Sequence, residues 1–542
     1  MLRPYQIEAL KAIVSHHEKG VNRQVVACAT GTGKTVLFAQ LPEHIPGQML
    51  VLAHREELID QAINKIKSAN PSLDVSKEMA DHYADPDSDV IVASIATLGR
   101  KDSERSKRFN WDNIKIVVTD ECHHATSQSY KNIYEMAGVL SPDTKKLHVG
   151  FTATPRRADH QGLSEIYDQI VFNYTIRQGI DENYLVEIRG IKVDTKTSLD
   201  SIATKAGDLD QSELAVTVNT PYRNQLIVQA WKDNAENKQT IAFAVDIQHS
   251  KDLAQAFVDN GIKAEALWGN DPERESKIAR HKSSKTTVLV NCAVLIEGYD
   301  DPAVSCIILA RPTKSSVFFT QCVGRATRLY LGKYSCLIID VCDSTSRHSL
   351  ISVPSLLGLP AGLDLKGKGL VWAAKELEKV QQEFTHLDFT SLKDITKIKA
   401  FVESVDLFAI KPPPEIEASS KFTWHPAMGG GYILMLPEKG EQIKIEQNLL
   451  DKWELKGYLR GKKYKGERAT MEEAFAAADN LIKQAAPESL KIVDKSAGWR
   501  HNPASKKQIT ALKRLYKGKQ IPDGLTSGEA SEKIAAAKAK KN

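Results

Sequence analysis

No apolar run in this 542-residue chain approaches the ~20 residues that span a bilayer, so no stretch of it reads as a membrane helix. The seven cysteines include no CxxC pair and no zinc-ligand spacing, and none follows Cys342. A disulfide framework and a structural zinc site are therefore not expected, and the thiols read as reduced and buried. The first residues, MLRPYQIEAL, lack the apolar core of a signal peptide, and Glu8 and Glu18 argue against a transit peptide. A cytoplasmic location, nucleoid-associated if bacterial, is the expectation. No repeat of solenoid period is present. Neither sign of charge dominates overall, the net charge being only +5.

What the chain does have is ordinary globular composition, 42% apolar and 26% charged, with length for roughly three to four domains. The charge is uneven. From Gly498 to Asn542 there are eleven Lys/Arg and three Asp/Glu, a local +8, which leaves the remainder near −3. A basic tail on a near-neutral body points to a polyanionic partner, or to a solvated tail.

Short Val/Ile/Leu runs alternate with helical patterns. MLVLA (49–53), DVIVA (89–93), IKIVV (114–118) and LHVGF (147–151) read as buried parallel strands. The rhythm restarts at TIAFA (240–244) and continues through TVLV (287–290), VSCIIL (304–309) and SCLIID (335–340). This predicts an α/β fold of two parallel-sheet domains, over 1–195 and 196–345, the latter opening with a polar linker at 196–220. Residues 346–415 read as a helical and linker region, with a helix near 369–384 and an extended KPPPE linker at 411–415. Residues 416–485 read as a small α+β module of three strands and a helix, with Thr470 and Glu473 forming a capping box. Residues 486–542 form a basic helical tail.

Three motifs carry chemistry. Thr30-Gly31-Thr32-Gly33-Lys34-Thr35 follows the strand QVVAC and should open a helix, a phosphate cradle in which Lys34 neutralises β/γ phosphates and Thr35 ligates magnesium. The strict pattern wants glycine where this chain has Cys28. Asp120-Glu121 ends the strand IKIVV; Asp120 holds magnesium and Glu121 polarises the attacking water, with His123 coupling the site to Thr152–Thr154 or to Gln321. Gln321, Gly324, Arg325 and Arg328 should share one helix face and bring two arginines to the γ-phosphate, while Gly298 and Asp300 approach the nucleotide, Asp300 touching a ribose or Arg325. A nucleoside triphosphate site split between two domains opens and closes with turnover, as a motor requires.

In order, the chain shows LRPYQ at 2–6, the TGTGKT cradle, AHREELIDQ at 53–61, ASIATL at 93–98, DECH at 120–123, TATP at 152–155, AFAVDIQHS at 242–250, EGYD at 297–300 and QCVGRATR at 321–328. This series resembles that of the superfamily 2 helicases over residues 1–345, and most closely the RadD-like, XPB-type and mitochondrial or bacterial branch-point DNA helicases and restriction motor subunits. The resemblance implies two tandem RecA-like P-loop NTPase domains that use ATP and Mg2+. It implies that Gln6 reads adenine and Arg3 belongs to the same cofactor site, that Thr152 and Thr154 couple hydrolysis to strand movement, and that His54, Arg55, Ser94 and Thr97 line a nucleic-acid track. RadD-like proteins carry a cysteine-rich zinc region absent here, and no nuclease signature appears.

In the C-terminal module, Trp424, Tyr432, Trp453, Tyr458 and Tyr464 mix with Arg460, Lys462, Lys463, Lys465 and Arg468. The tryptophans read as core and the basic hairpin 460–468, with Lys462 and Lys463, as DNA contact. Tail residues Lys506, Lys507, Lys513, Arg514 and Lys517 would add phosphate contacts. The expectation is an ATP-dependent DNA helicase or translocase acting on forked or branched DNA. The alternatives are a restriction or defence motor subunit, an RNA helicase, or a clamp that uses ATP only to lock onto nucleic acid.

Overall fold

The computed structural model describes residues 2–100, 103–153, 163–205, 207–296, 298–345, 347–383, 389, 392–398, 420, 422, 424–427, 431–436, 441–448, 450–487, 501–515 and 524–530. Thr154, Glu297, the 411–415 linker and Lys517 lie outside the described residues, as do the side chains of Lys513 and Arg514. The chain divides into two compact units, Met1–Leu356 and Leu357–Asn542.

The first unit contains two parallel sheets. The first sheet comprises β1 (Arg23–Cys28), β2 (Gln48–Ala53), β3 (Val75–Glu78), β4 (Val90–Ser94), β5 (Ile114–Thr119), β6 (Leu147–Thr152) and β7 (Gln169–Tyr174). Their order is β3-β4-β2-β5-β6-β1-β7, with every neighbouring pair parallel. The central strands are mostly apolar because both faces are covered: Val25, Val51, Val92, Val117 and Val149 are all fully buried. The order sets β6 between β5 and β1, so the loops after these three strands emerge side by side at the carboxyl edge of the sheet, where ligands bind in such folds.

The second sheet comprises β8 (Glu187–Ser198), β11 (Thr240–Phe243), β12 (Ala264–Leu267), β13 (Val288–Asn291), β14 (Cys306–Leu309) and β15 (Ser335–Ser344) in the order β12-β13-β11-β14-β15-β8, again parallel throughout. Its edge strand β8 begins at Glu187 rather than at 196. The polar segment expected to be a linker is partly ordered into a hairpin, β9 (Thr204–Lys205) and β10 (Asp208–Leu209), and a helix, Gln211–Val218. Leu199, Ile202, Leu209, Leu214 and Val218, spaced singly through that polar sequence, close into one apolar cluster with Val245. Arg223 and Asp343, both fully buried, form a 2.8 Å ion pair that pins helix Pro221–Ala235 to β15, and Arg223 Nη1 also donates to the Ala310 carbonyl.

In the second unit, helix Leu370–Glu383 matches the segment expected near 369–384. The small module is an antiparallel meander of β16 (His425–Pro426), β17 (Tyr432–Met435), β18 (Gln442–Gln447), β19 (Trp453–Leu459) and β20 (Lys462–Arg468), with helix Met471–Ala485 against it. The sequence reading found the middle three strands. It missed β20 because this edge strand, KKYKGER, has no buried residue and so no apolar alternation, and lysines are what edges carry. Thr470 Oγ1 accepts from Glu473 N at 3.2 Å, whereas the Glu473 carboxylate accepts from Ala469 N at 3.1 Å, one residue before the cap. Trp424 is completely buried, edge-on to Phe475, and its Nε1 donates to Ser420 Oγ at 3.0 Å, so it is core.

All seven cysteines are free thiols, five of them buried and Cys292 and Cys342 half-buried. Burial raises the pKa of every one, to about 12 at Cys28, Cys306 and Cys336. Among the described residues no helix is long and apolar enough to cross a membrane.

Candidate functional site

After β1 the chain turns sharply through Ala29–Gly33, and Ala29 N donates to the Tyr174 carbonyl at 3.0 Å. Gly31 and Gly33 adopt φ of +86° and +82°, a conformation that side chains disfavour. A β-carbon on Gly33 would stand 2.8 Å from Gln6 Nε2. Gln6 is spent on the cradle itself: its Nε2 donates to the Thr32 carbonyl at 3.1 Å and its Oε1 accepts from Arg3 N at 2.9 Å. Tyr5 Oη donates to the same carbonyl at 2.6 Å. The Tyr5 ring stacks on Tyr174 with centroids 4.1 Å apart and meets Tyr184 edge-on, and the Arg3 guanidinium lies 5.1 Å from the Tyr184 ring centre. Tyr174 and Tyr184 come from distant segments and carried no signal in the sequence. Thr30 Oγ1 is buried with no hydrogen-bond partner among the described residues, a hydroxyl suited to a phosphate oxygen. Lys34 and Thr35 begin helix Lys34–Phe38.

Asp120 and Glu121 follow β5. Glu121 sits at φ +48°, and the Asp120 Oδ1 accepts from its backbone N at 3.0 Å. Lys34 Nζ and Glu121 Oε1 form an ion pair at 2.9 Å with both side chains nearly buried. Burial alone would neutralise both. The opposed charges outweigh it, with Asp120 acting on Lys34 and His123 on Glu121, so the lysine pKa is raised and the carboxyl is held well below the ordinary range. His123 Nδ1 faces Glu121 Oε2 at 3.4 Å, and its ring lies 4.1 Å from that of His124. Thr152, at the end of β6, is fully buried. The Thr35 hydroxyl and the Asp120 carboxylate are hard oxygen donors that suit magnesium. Cys28 beside them stays a neutral thiol, since burial lifts it to about 12 against the lowering effect of Lys34.

The second sheet supplies the other wall. Helix Ser316–Gly324 ends at Gly324, so Arg325 and Arg328 lie in the turn that follows and do not extend a helical face from Gln321 as expected. The helix stops where it meets the cradle: a β-carbon on Gly324 would be 2.3 Å from Thr30 Cβ. One on Gly31 would be 3.3 Å from Arg328 Cγ and 3.5 Å from Thr327 Oγ1. Gln321 and Arg325 are buried. Arg325 Nη1 donates to the Tyr299 carbonyl at 2.9 Å, and Arg328 Nη1 to the same oxygen at 3.3 Å. Asp300 pairs with Arg328 at 3.0 Å. Gly298, at φ +75°, makes its close approach to Glu57 of the first sheet's domain: a β-carbon there would be 2.9 Å from Glu57 Cβ.

Around that contact a second seam joins the domains. Gln61 Nε2 donates to the Gly298 carbonyl and Arg274 pairs with Glu57. Arg55 donates to the carbonyls of Ala293 and Val294 at 3.3 and 3.4 Å. Glu57 and Gln61, four residues apart on helix Glu56–Ala69, were findable as a pair on one face; Arg274 was not. His54 meets His124 edge-on at 5.6 Å. Ser94 is buried just before the short helix Ile95–Leu98, which carries Thr97. Lys462 and Lys463, in the second unit, are exposed at the start of β20.

Comparison with known proteins matches three family profiles. Residues 1–157 match "Type III restriction enzyme, res subunit", 222–330 match "Helicase conserved C-terminal domain", and 391–542 match "Mitochondrial helicase Irc3, C-terminal domain". A Schizosaccharomyces pombe protein named as a mitochondrial ATP-dependent helicase, irc3, is 34% identical over 98% of this chain and 89% of its own length. A Saccharomyces cerevisiae protein named as an ATP-dependent helicase, IRC3, is 35% identical over 66% of this chain and 54% of its own. Among solved structures, a fragment of an HsdR subunit of a type I restriction enzyme from Vibrio vulnificus aligns with TM-score 0.49 and 22% identity, over 63% of this chain and 64% of that one.

Proposed function

The chain belongs to the Irc3 helicases of superfamily 2, and from that premise we propose that it couples ATP hydrolysis to movement on, or remodelling of, forked or branched DNA. It is an ATP-dependent helicase, a nucleic-acid-dependent ATPase. The observation that supports the mechanism is the close fit of Gly324 against Thr30 and of Arg328 against Gly31, across the two α/β domains.

In this reading the cradle from Thr30 to Thr35 receives the triphosphate, and Lys34 exchanges its Glu121 partner for phosphate oxygens. Glu121, released from Lys34 and still facing His123, orients the attacking water. Arg325 and Arg328 stabilise charge on the γ-phosphate, an effect of roughly 10³–10⁵ in rate. Magnesium, when bound, would neutralise the β/γ phosphates, held by Thr35 and Asp120. Gln6 transmits adenine occupancy to the Thr32 carbonyl it already holds. Loss of the γ-phosphate loosens the arginines, the cleft opens, and the track near His54, Arg55, Ser94 and Thr97 shifts along one strand. The C-terminal module, through Lys462 and Lys463, selects the substrate.

Steady-state ATPase measured at fixed salt with single-stranded DNA, duplex, a fork, a four-way junction and single-stranded RNA tests this. Strongest stimulation by branched DNA is the expected result. Stimulation by RNA alone overturns the DNA assignment, and no stimulation by any of them points to a motor that needs a partner complex, as restriction motors do. For location the proposal remains the cytoplasm, in contrast to a relative named mitochondrial, and subcellular fractionation decides it.

A further inference from the structure

Edge strand β3 ends at Glu78, whose register partner on β4 is Ala93, so the loop after β3 emerges beside Ser94. That loop is braced far beyond what a surface turn needs. Met79 and His82 exchange two backbone hydrogen bonds, of 3.1 and 2.8 Å, and Ala80 between them is held at φ +46°. The Glu78 carboxylate is fully buried; it accepts from Ala84 N at 2.8 Å and pairs with Arg105 at 2.5 Å and with Arg108 at 3.7 Å. Arg105 also donates to the carbonyls of Ala80 and His82, and Arg108 to that of Ala84 at 2.9 Å. Both arginines come from the segment after helix Ile95–Leu98, the one that carries Thr97. Two loops that follow neighbouring strands are thus locked together.

What this bracing presents to solvent is Tyr83. Arg105 stands 3.8 Å from its ring centre and Arg108 5.2 Å, yet the residue remains 64% exposed. The hydrogen bonds of both arginines are directed inward, onto the loop. A flat ring fixed in place, backed by guanidinium charge and open to solvent has the form of a stacking platform. On the neighbouring loop Arg100 is exposed, while Lys107 pairs with Glu104 at 2.8 Å and exposed Asp81 and Asp85 flank the ring, so recognition at this point rests on stacking and not on phosphate contact.

We propose that Tyr83 is a base-stacking residue, taking an unpaired nucleobase of the DNA strand at the end of the track marked by Ser94 and Thr97. This rests on the DNA-motor reading above. Arg105, Arg108 and Glu78 are positioning residues that hold the ring.

The test uses the full chain and single-stranded DNA bearing 2-aminopurine, whose fluorescence is quenched on stacking, with affinity measured across a salt series. Y83A is expected to raise the Kd for single-stranded DNA by about 5- to 150-fold, the range for loss of one stacked base, and to abolish the quenching. Its salt slope stays that of wild type, because a neutral ring neutralises no phosphate. Y83W restores both affinity and quenching, and binding to blunt duplex, which offers no free base, is unchanged. E78Q, which loosens the loop with the ring intact, weakens quenching in part. A Y83A protein that melts like wild type and binds single strands within twofold of it overturns the proposal, as does a fallen salt slope, which would trace the effect to phosphate binding. Wild type that binds none of the nucleic acids overturns the underlying reading instead, and quenching with RNA but not DNA overturns the choice of strand.

Discussion

Gly324 and Thr30 are packed so closely that a β-carbon on the glycine would overlap Thr30 Cβ at 2.3 Å, although one ends a helix beside the second sheet and the other lies in the turn after β1 of the first. A methyl group there cannot be absorbed by a flexible side-chain end, because the atom it meets is fixed to the cradle backbone. Within a helix, alanine in place of glycine would otherwise stabilise by up to ~1 kcal/mol. G324A should therefore fold at least as well as wild type within its own domain and still bind nucleotide, while kcat of the stimulated ATPase falls about 10²-fold, the scale of a 1 Å misplacement of catalytic groups. Steady-state kinetics beside a nucleotide-binding titration checks this.

Lys34 and Glu121 hold each other in a nearly buried pair. K34A should abolish turnover while leaving DNA binding largely intact. It should also lower the stability of the nucleotide-free protein by about 3 kcal/mol, because it leaves the Glu121 charge uncompensated. Adding E121Q removes that charge, so K34A/E121Q should regain part of the stability and none of the activity. Denaturant melts of wild type, K34A, E121Q and K34A/E121Q give the coupling directly, and a K34A protein with normal turnover would remove the cradle from the mechanism.

Asp340, buried in β15, accepts from Val353 N at 3.0 Å, and burial pushes its carboxyl up to about 7. A carboxyl raised in the folded state favours folding most below its unfolded value of about 4, and that contribution is lost as pH climbs through about 7. D340N keeps an acceptor for Val353 and cannot ionise. The stability of wild type relative to D340N should therefore fall between about pH 4 and pH 7 and level off above it, measured by urea melts at each pH.

K462A/K463A should weaken DNA binding across sequences alike and reduce the slope of log affinity against log salt by about 0.9 for each duplex phosphate that the two lysines neutralise. An unchanged slope would remove these lysines from the interface. ATP turnover at saturating DNA should be close to wild type.

Much of this was legible in the chain. The central strands announced themselves because burial on both faces favours Val/Ile/Leu-rich runs, and Lys34, Asp120 and Glu121 stand in motifs whose spacing follows from phosphate chemistry. Strand β20 did not, since an exposed edge leaves no apolar trace. The end of the helix at Gly324 was missed because QCVGRATR is locally compatible with a longer helix; only the approach of Thr30 shows where it stops. The glycine at Gly298 signalled close approach without naming Glu57, which stands against it. Tyr83 had no motif to mark it, because its significance lies in arginines more than twenty residues away in sequence that fold back over the ring.

The burial of the thiols has a practical side. Reaction with maleimide or disulfide reagents needs an accessible thiolate; five native cysteines are buried, and partial burial raises the pKa of half-buried Cys292 and Cys342 as well. The natural sequence thus already serves as a nearly silent background for labelling. One cysteine introduced on an exposed face of each α/β domain could carry a dye pair while every native cysteine stays in place, and the distance between the dyes would report the opening stroke of the motor one molecule at a time.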